Sequence, residues 1–456
     1  MKNTLKRLAA AVIAAVTLVS LFGCLKNQEP LTVAGSDVLL PLEYWTEPVT
    51  SEENTDAPVT QPAESEENTD VFVPQPVVPA VLAAPTNGNV TGFALDLFRA
   101  TAENGKNTLI SPLSVLYALA MTANGAKGQT LTEMENVLGM EIDGLNSYLH
   151  DYMASLPRAE KYKLSAANSI WFTDDERFSV VDGFLQLNEE YYGADVYRVP
   201  FDGKTLGDIN GWVNEKTDGM IEKILDEIDP YSVMYLINAL AFDAEWETIY
   251  NEYQVREGDF TPEGGAKKTV EFMYSQENAY LEDEKATGFV KYYAGRKYAF
   301  VALLPNEGVT VSDYVASLDG EKLYGMLSNP SAEDVNVAIP KFETEYDVTM
   351  NDVLIKMGMP TAFNADKADF SGIGTYRDGG VDLNLFIGNV LHKTFMAVNE
   401  RGTKAGAVTV VNVYAGSALP VKEPKRVILD RPFLYMLVDC ENNLPFFIGT
   451  MYDAGK

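Results

Sequence analysis

The chain has 456 residues, enough for two modules or one large fold, and 46% of them are hydrophobic, as expected for a protein with a packed core. The formal net charge of -31 would repel a phosphate backbone, which argues against nucleic-acid binding. Two histidines and two cysteines exclude a His/Cys zinc site and a disulfide framework, and we expect neither a metal nor a cofactor.

Residues 1–23 have the pattern of a secretory signal peptide. Lys2, Lys6 and Arg7 precede an apolar run of 16 residues at 8–23. This run is shorter than the roughly 20 residues that a helix needs to cross a bilayer. A short apolar run behind basic residues is typical of a segment that is removed on export. We therefore predict that residues 1–23 are cleaved and that the protein is secreted.

The run ends in Leu21-Phe22-Gly23-Cys24, which resembles a bacterial lipobox, although Phe22 departs from the usual small or aliphatic residue. In that motif the cysteine receives a lipid and becomes the first residue after cleavage. The resemblance implies that a lipid on Cys24 anchors the protein at the membrane or surface of a bacterial cell, facing the extracellular side. The alternative is a plain secretory signal followed by an incidental cysteine.

Residues 24–88 have the composition of a tether. From position 25 onward they include 11 acidic residues and one lysine, with many prolines and little periodicity. The hexapeptide Ser-Glu-Glu-Asn-Thr-Asp at 51–56 is repeated at 65–70. A repeat so short and polar cannot build a core. We predict an acidic, proline-rich tether over 24–88 and a folded domain over 89–456.

Within that domain, helical patterns come first and strand patterns later. Apolar spacing predicts a helix over 90–100, a second helix from Pro112 that is buried on most sides, and a third from 206 that stops near Asp218-Gly219. Strands are predicted at 233–242, 298–304, 335–339, 383–387, 391–398, 435–439 and 446–452. Because helices and strands do not alternate regularly, we predict an α+β fold rather than a doubly wound parallel sheet.

The sequence does not show the nucleophile and histidine base that a hydrolase of the serine or cysteine type needs. A serine or cysteine nucleophile normally needs a histidine base. His392 lies inside the apolar run LFIGNVLHKTFMAV, which predicts a buried imidazole that is satisfied by hydrogen bonds, and His150 lies beside a helix-like segment. Gly372-Ile-Gly374 lacks the third glycine of a dinucleotide loop. We predict that the chain is not an enzyme.

Residues 400–420 read ERGTKAGAVTVVNVYAGSALP. This composition suits both a buried strand and an exposed loop. In a strand, alternate side chains face the same way. One such set has no charge and nothing larger than valine: Thr403, Ala405, Ala407, Thr409, Val411 and Val413. This set could face a packed core, while the other set, with Lys404 and Asn412, could face solvent. The glycines also lower the cost of an exposed loop.

Here the sequence resembles the serpin family, and the resemblance covers nearly all of the folded domain. HKTFMAVNERGTKAGAV looks like the serpin hinge, and DRPFLYMLVDCENNLPFFIGTMYD resembles the C-terminal strands. Upstream, ISPLSVLYALAMTANGAKGQTLTEM, LSAANSIWF, LINALAFDAEW, PKFETEYDV and ADFSGI follow in serpin order. The resemblance implies a serpin fold, in which helices surround a large central mixed sheet and smaller sheets, and a reactive-centre loop is exposed.

The resemblance also implies a mechanism. A serine protease cuts the exposed loop and forms an acyl-enzyme, and the freed hinge then inserts into the central sheet and traps the protease. The hinge would comprise Glu400, Gly402, Thr403, Ala405, Gly406 and Ala407. The region where the sheet opens would comprise Ser111, Pro112, Ser114, Asn168, Asn238 and His392, with Trp246 near the point of first insertion.

Counting along the loop suggests the reactive bond. The spacing usual in inhibitory serpins, counted from Glu400, gives Gly416-Ser417, whereas counting back from Pro432 points nearer Val421. Tyr414 or Leu419 would suit a chymotrypsin-like pocket, and Lys422 would suit a trypsin-like pocket. The small residues would suit an elastase-like or subtilisin-like pocket; they are Val413, Ala415, Gly416 and Ala418. We favour the last class of target.

We therefore expect a monomeric suicide inhibitor of extracellular serine proteases. The alternative keeps the serpin fold without inhibition, as a surface binding protein whose loop is only a protease substrate. A charged residue or a proline at an inward hinge position would favour that alternative, and none is present.

Overall fold

The computed structural model describes residues 13–23, 86–157, 159–402 and 423–455. The described residues belong to one compact unit. Among them, no helix combines the length and the apolar character that a membrane span requires. Cys24, nearly all of the predicted tether and the loop residues 403–422 lie outside the described residues.

The described residues form nine α-helices and three short 3-10 turns. In chain order, helices α1 to α9 span Asn87–Thr101, Pro112–Ala123, Gly128–Leu138, Ile142–Ser155, Asp182–Tyr192, Gly203–Lys216, Val311–Ser317, Gly320–Ser328 and Asn351–Met357. The 3-10 turns span Glu252–Gln254, Ala294–Arg296 and Thr361–Phe363.

Helix α1 begins inside the predicted tether. Its first residue is Asn87, and the Thr86 side chain caps it by accepting a hydrogen bond from the Asn89 backbone N–H at 3.2 Å. Asn87 and Gly88, the last two residues of the predicted tether, therefore lie in the first turn of α1. The boundaries of the tether and of the folded domain stay a prediction.

Helix α2 is buried at all 12 of its positions. The Ser111 hydroxyl caps it by accepting from the Ser114 backbone N–H at 3.3 Å. Pro112 occupies the first turn, where its missing N–H leaves no hydrogen bond unmade. The prediction of a helix that starts at Pro112 and is buried on most sides is confirmed.

The strands account for most of the remaining described structure. In chain order, β1 to β19 span Ile13–Gly23, Thr108–Ile110, Tyr162–Thr173, Phe178–Val180, Asp195–Val199, Ser232–Ala244, Val255–Phe260, Lys268–Glu277, Tyr280–Glu282, Ala286–Tyr292, Tyr298–Pro305, Val335–Pro340, Phe342–Thr349, Gly374–Asp378, Val381–Leu383, Leu385–Val398, Lys425–Ile428, Phe433–Asp439 and Leu444–Met451.

Two six-stranded sheets enclose the core. The central sheet has the order β13-β16-β1-β6-β3-β5, and its neighbours are antiparallel except for the parallel pair β3-β5. The second sheet has the order β2-β19-β18-β11-β10-β9. Helix α2 packs against β1 and β6 of the central sheet and against β19 of the second. Smaller sheets of order β17-β12-β8-β7 and β15-β14-β4 complete the α+β fold, which confirms the predicted class.

The sequence predicted two strands, at 383–387 and 391–398, where the structure has one continuous strand, and that prediction was wrong. Strand β16 runs through Gly388 and Asn389 without a break. The Asn351 side-chain amide donates to the Gly388 carbonyl at 2.6 Å, and the Ser20 hydroxyl accepts from the Asn389 backbone N–H at 3.0 Å. Gly388 is the extra residue of a bulge in the pairing with β1, where Ser20 pairs with Asn389 and Leu21 pairs with Ile387. The neighbouring groups hold the strand together across this bulge.

Strand β1 falls within the predicted signal peptide. In the chain taken as a whole, Ile13–Gly23 forms a strand between β16 and β6 in the central sheet. A continuous apolar run has no periodicity that would distinguish a strand from a helix. Removal of residues 1–23 on export concerns processing rather than folding, so the signal peptide stays a prediction.

Candidate functional site

The candidate site is the space between β16 and β6, which we call the central slot and which β1 fills. All 11 residues of β1 pair with β16, and 10 of them also pair with β6, antiparallel in both cases. Because β16 and β6 are both antiparallel to β1, they run parallel to each other. Without a strand between them, their facing edges would either close on each other as a parallel pair or leave backbone donors and acceptors unpaired. The central slot is therefore shaped to hold one antiparallel strand.

Both faces of the strand in the slot are buried. Val19 and Leu21 belong to the main core cluster, and Val16 and Leu18 belong to a second cluster that includes Trp212 of α6. In β1, the second face is covered by the cluster around α6. The predicted solvent-facing positions Lys404 and Asn412 lie outside the described residues, so the expectation that they face solvent stays a prediction.

His392 of β16 connects the slot with the start of α2. Its Nε2 accepts from the Ser111 backbone N–H at 3.0 Å, so the proton of the neutral ring is on Nδ1. Nδ1 donates to Thr17 Oγ1 at 2.7 Å, and Thr17 Oγ1 lies 3.0 Å from Ser114 Oγ. Two of the predicted residues, His392 and Ser114, thus meet at one hydroxyl group, which the strand in the slot supplies.

Burial keeps His392 neutral. The ring has no solvent exposure, and loss of hydration lowers its pKa to about 3. Both ring nitrogens are occupied by hydrogen bonds, so neither is available as a base for a nucleophile. The prediction of a buried, hydrogen-bonded imidazole is confirmed, and His150, the other histidine, lies exposed on α4.

Asn238 and Asn168 extend the row of His392 and Thr17 across the central sheet. Thr17 pairs with His392 on one side and with Asn238 on the other, and Asn238 pairs with Asn168 on β3. The Asn238 amide nitrogen donates to Asn168 Oδ1 at 2.9 Å, and the Asn168 amide donates to the Tyr192 carbonyl at 2.8 Å. The predicted polar residues therefore form one lateral row together with the first turn of α2.

The turn that follows β16 is held against the end of β6. The Asn399 carbonyl accepts from Trp246 Nε1 at 2.8 Å. The Glu400 carbonyl accepts from the Tyr250 backbone N–H at 3.0 Å, and the Arg401 carbonyl accepts from the Trp246 backbone N–H at 3.2 Å. Three successive carbonyl groups are thus fixed immediately before the loop residues 403–422.

Gly402 pairs with both sides of the slot. It forms antiparallel bridges to Asn399, which follows β16, and to Glu245, which follows β6. Its φ of +84° lies in the region that favours glycine, and a β-carbon there would lie 2.4 Å from the Trp246 backbone nitrogen. Glycine is therefore required here by conformation and by space.

A buried ion pair lies behind Trp246. Lys291 Nζ lies 2.7 Å from Glu277 Oε1, 4.5 Å from the ring centre of Tyr250 and 5.3 Å from that of Trp246. Burial alone would lower the pKa of Lys291, but its interactions with Tyr250 and Glu277 outweigh burial and raise the pKa. The charged ammonium group thus stabilises the rings that hold the turn.

Several predicted site residues lie outside the described residues. They are the hinge residues Thr403, Ala405, Gly406 and Ala407, the reactive-bond candidates Tyr414, Ala415, Gly416, Ser417, Leu419 and Lys422, and the lipidation candidate Cys24. Of the predicted hinge, Glu400 and Gly402 are described. Lys341 Nζ lies 3.2 Å from Glu400 Oε2.

Sequence reasoning missed three residues that the structure brings to the site. Thr17 was assigned to the signal peptide, and Lys291 and Lys341 were given no role. The tripeptide Ala-Val-Thr occurs at 15–17 and again at 407–409, and this repeat could have drawn attention to Thr17. No local signal marks the two lysines, because their partners are distant in the chain.

Known proteins with the same architecture can be recognised. A family model described as Serpin (serine protease inhibitor) matches residues 88–454. The crystal structure of the thermophilic serpin tengpin in its native state is similar with a TM-score of 0.75 and 48% sequence identity, over 83% of this chain and 96% of that chain.

Two relatives are similar in sequence. An uncharacterized serpin-like protein of Thermococcus kodakarensis is 30% identical, over 80% of this chain and 85% of its own length. The leukocyte elastase inhibitor of Homo sapiens is 29% identical, over 79% of this chain and 97% of its own length.

Proposed function

Because the chain belongs to the serpin family, we propose that it is a suicide inhibitor of serine proteases. The serine of the protease attacks the carbonyl carbon of the reactive bond, the C–N bond breaks, and an ester joins the protease to the new carboxyl end of the loop. The freed segment then inserts into the central slot before water hydrolyses the ester. Each inhibitor molecule is consumed once.

The position of Gly402 carries this proposal. Its bridges to Asn399 and Glu245 lie at the end of the central slot, one toward β16 and one toward β6. A strand that continued from Gly402 in the same direction would have backbone partners on both sides once β1 is removed. The loop residues from Thr403 to Val413 supply alternating uncharged side chains for such a strand.

We propose Gly416-Ser417 as the reactive bond and an elastase-like or subtilisin-like enzyme as the target. The small residues Ala415, Gly416 and Ala418 suit a shallow specificity pocket. A relative named for inhibition of leukocyte elastase supports this choice.

We further propose that residues 1–23 are a signal peptide and that Cys24 carries a lipid. The residues between Cys24 and Thr86 would then tether the inhibitor to the outer side of a membrane. The support is the order of basic residues, apolar run and lipobox-like Leu21-Phe22-Gly23-Cys24.

Incubation of the processed chain, residues 24–456, with elastase-like, subtilisin-like and trypsin-like proteases tests the function. We expect an adduct that resists denaturant, and mass spectrometry of the denatured reaction mixture should identify a C-terminal fragment that begins at Ser417. Loop cleavage without an adduct would instead support a non-inhibitory surface binding protein. One observation favours that second function: β1 already fills the central slot in the full chain.

A further inference from the structure

Strand β1 is similar in sequence to the loop segment that the proposed mechanism inserts. Residues 15–21 read Ala-Val-Thr-Leu-Val-Ser-Leu, and residues 407–413 read Ala-Val-Thr-Val-Val-Asn-Val. Four of these seven positions are identical, two exchange leucine for valine, and one exchanges serine for asparagine. Both segments are rich in β-branched residues, which favour strands.

The bridges of Gly402 define the register of a strand that continues from it. Gly402 pairs with Asn399 on the β16 side and with Glu245 on the β6 side. In an antiparallel ladder, each step forward on one strand is one step back on its neighbour. Seven steps forward from Gly402 reach Thr409.

In this register Thr409 takes the partners that Thr17 has in the structure. Seven steps back along the two neighbouring strands reach His392 and Asn238. Thr17 pairs with the same two residues. The sequence similarity also aligns Thr409 with Thr17. Two independent observations, ladder register and residue identity, therefore assign one position to both threonines.

The chemistry at this position explains why both strands carry threonine. The Thr17 hydroxyl accepts from His392 Nδ1 at 2.7 Å and lies 3.0 Å from Ser114 Oγ. A valine at the same place would remove the hydroxyl that accepts from the buried Nδ1–H and contacts Ser114, which is costly. Thr409 brings the same hydroxyl group, so the slot can hold either strand but not both.

We propose that residues 13–23 are a placeholder strand, which fills the central slot in the unprocessed chain and keeps the loop out of it. The unprocessed chain is then a protease substrate without inhibitory activity. Removal of residues 1–23 opens the slot and activates the inhibitor. This inference rests on the proposed function, because activation is measured as inhibition.

Adduct formation by the full chain, residues 1–456, and by the processed chain, residues 24–456, tests the placeholder. With the same elastase-like protease, we expect an adduct from the processed chain, and cleavage with at least about 10-fold less adduct from the full chain, since a filled slot must first be emptied. Equal adduct formation by both forms would overturn the placeholder and leave the proposed function intact.

Hydrogen exchange gives a readout that does not depend on inhibition. We expect the backbone amides of β6 and β16 to exchange at least about 10-fold more slowly in the full chain than in the processed chain. Equal exchange in both forms would overturn the placeholder, whether or not either form inhibits. Slower exchange in the full chain, combined with no adduct from either form, would support the placeholder and contradict the proposed function.

Substitutions of Thr17 test the role of the placeholder strand without changing the rest of the fold. Thr17→Arg in the full chain places a guanidinium group where the structure has a fully buried hydroxyl, so we expect β1 to leave the slot and the full chain to form the adduct. Thr17→Ser keeps the hydroxyl and should leave the full chain inactive. If Thr17→Arg changes neither adduct formation nor amide exchange, the placeholder is wrong.

Discussion

A β-carbon on Gly402 would lie 2.4 Å from the backbone nitrogen of Trp246. The turn after β16 is therefore closed tightly against the end of β6. Because Gly402 bridges both sides of the central slot, a strand that continued from it would start in the register of an inserted strand.

Gly402→Ala in the full chain should lower the free energy of unfolding by about 1–3 kcal/mol through its backbone conformation, with a further cost from the contact with Trp246. Urea unfolding measures this change. Gly380→Ala is the matched control, because Gly380 has a φ of +83° and a β-carbon there would meet nothing within 4 Å. An equal loss in both variants would contradict the close approach of Gly402 to Trp246.

The stability of the full chain should depend on pH through His392. The folded pKa is about 3 against an ordinary value of 6.5, so the unfolded chain binds more protons between these values. The contribution of His392 is complete above pH 6.5 and falls as the pH decreases toward 3, by at most about 1.4 kcal/mol per pH unit.

Urea unfolding between pH 7 and pH 4 measures this dependence. His392→Gln should flatten the slope, and His150→Gln, which changes an exposed histidine, should leave it as it is. The same slope in the His392 variant and in the unmodified chain would show that this imidazole is not held neutral.

Removing one partner of the buried ion pair should be costly. Glu277→Gln leaves the Lys291 cation buried without a counter-charge, and we expect the free energy of unfolding to fall by about 3–5 kcal/mol. Asp382→Asn is the control: it breaks an ion pair with Arg377 in which both side chains are exposed, and should cost at most about 1 kcal/mol. Similar losses would argue against a structural role for the pair behind Trp246.

If Gly416-Ser417 is the reactive bond, substitution of Gly416 should change which class of protease is trapped. In the processed chain, Gly416→Arg should raise the rate of adduct formation with a trypsin-like protease by at least about 100-fold, because the arginine fits its acidic specificity pocket. Denaturing gels of samples quenched at successive times, with an elastase-like and a trypsin-like protease, measure the rates of adduct formation. If the unmodified chain already traps the trypsin-like enzyme and the denatured mixture contains a C-terminal fragment that begins at Glu423, the reactive bond lies at Lys422 instead.

Arginine substitutions at the neighbouring hinge positions Thr403 and Lys404 should differ in their effect on inhibition. In the processed chain, Thr403→Arg should convert the inhibitor to a substrate, because an arginine on the inward face would have to be buried during insertion. Lys404→Arg changes the other face and should keep most of the adduct. The fraction of inhibitor cleaved without trapping measures both effects, and equal fractions would contradict the assignment of faces.

Features that depend on residues close in sequence could be predicted. Ser111-Pro112 marks the start of α2, and the small apolar residues that follow predict its burial. The apolar context of His392 likewise predicted a buried ring. In each case the deciding signal lies within a few residues of the feature.

Features that depend on distant partners could not be predicted in this way. The polar Gly388-Asn389 pair looks like a break, and only Asn351 and Ser20 show why β16 continues. The apolar run at 8–23 is compatible with an export signal and with a buried strand, and the edges of β16 and β6 decide which form it takes in the full chain. The role of Thr17 follows from that tertiary arrangement alone.

The thermal unfolding midpoint of the processed chain, measured before and after a single cut in the loop by an elastase-like protease, tests most directly whether the central slot accepts the loop. Insertion adds a strand with partners on both sides, and we predict a rise of at least about 10 °C, since each kcal/mol moves the midpoint by only a few degrees in a protein of this size. A cut chain that unfolds at the same temperature as the intact chain would contradict the account.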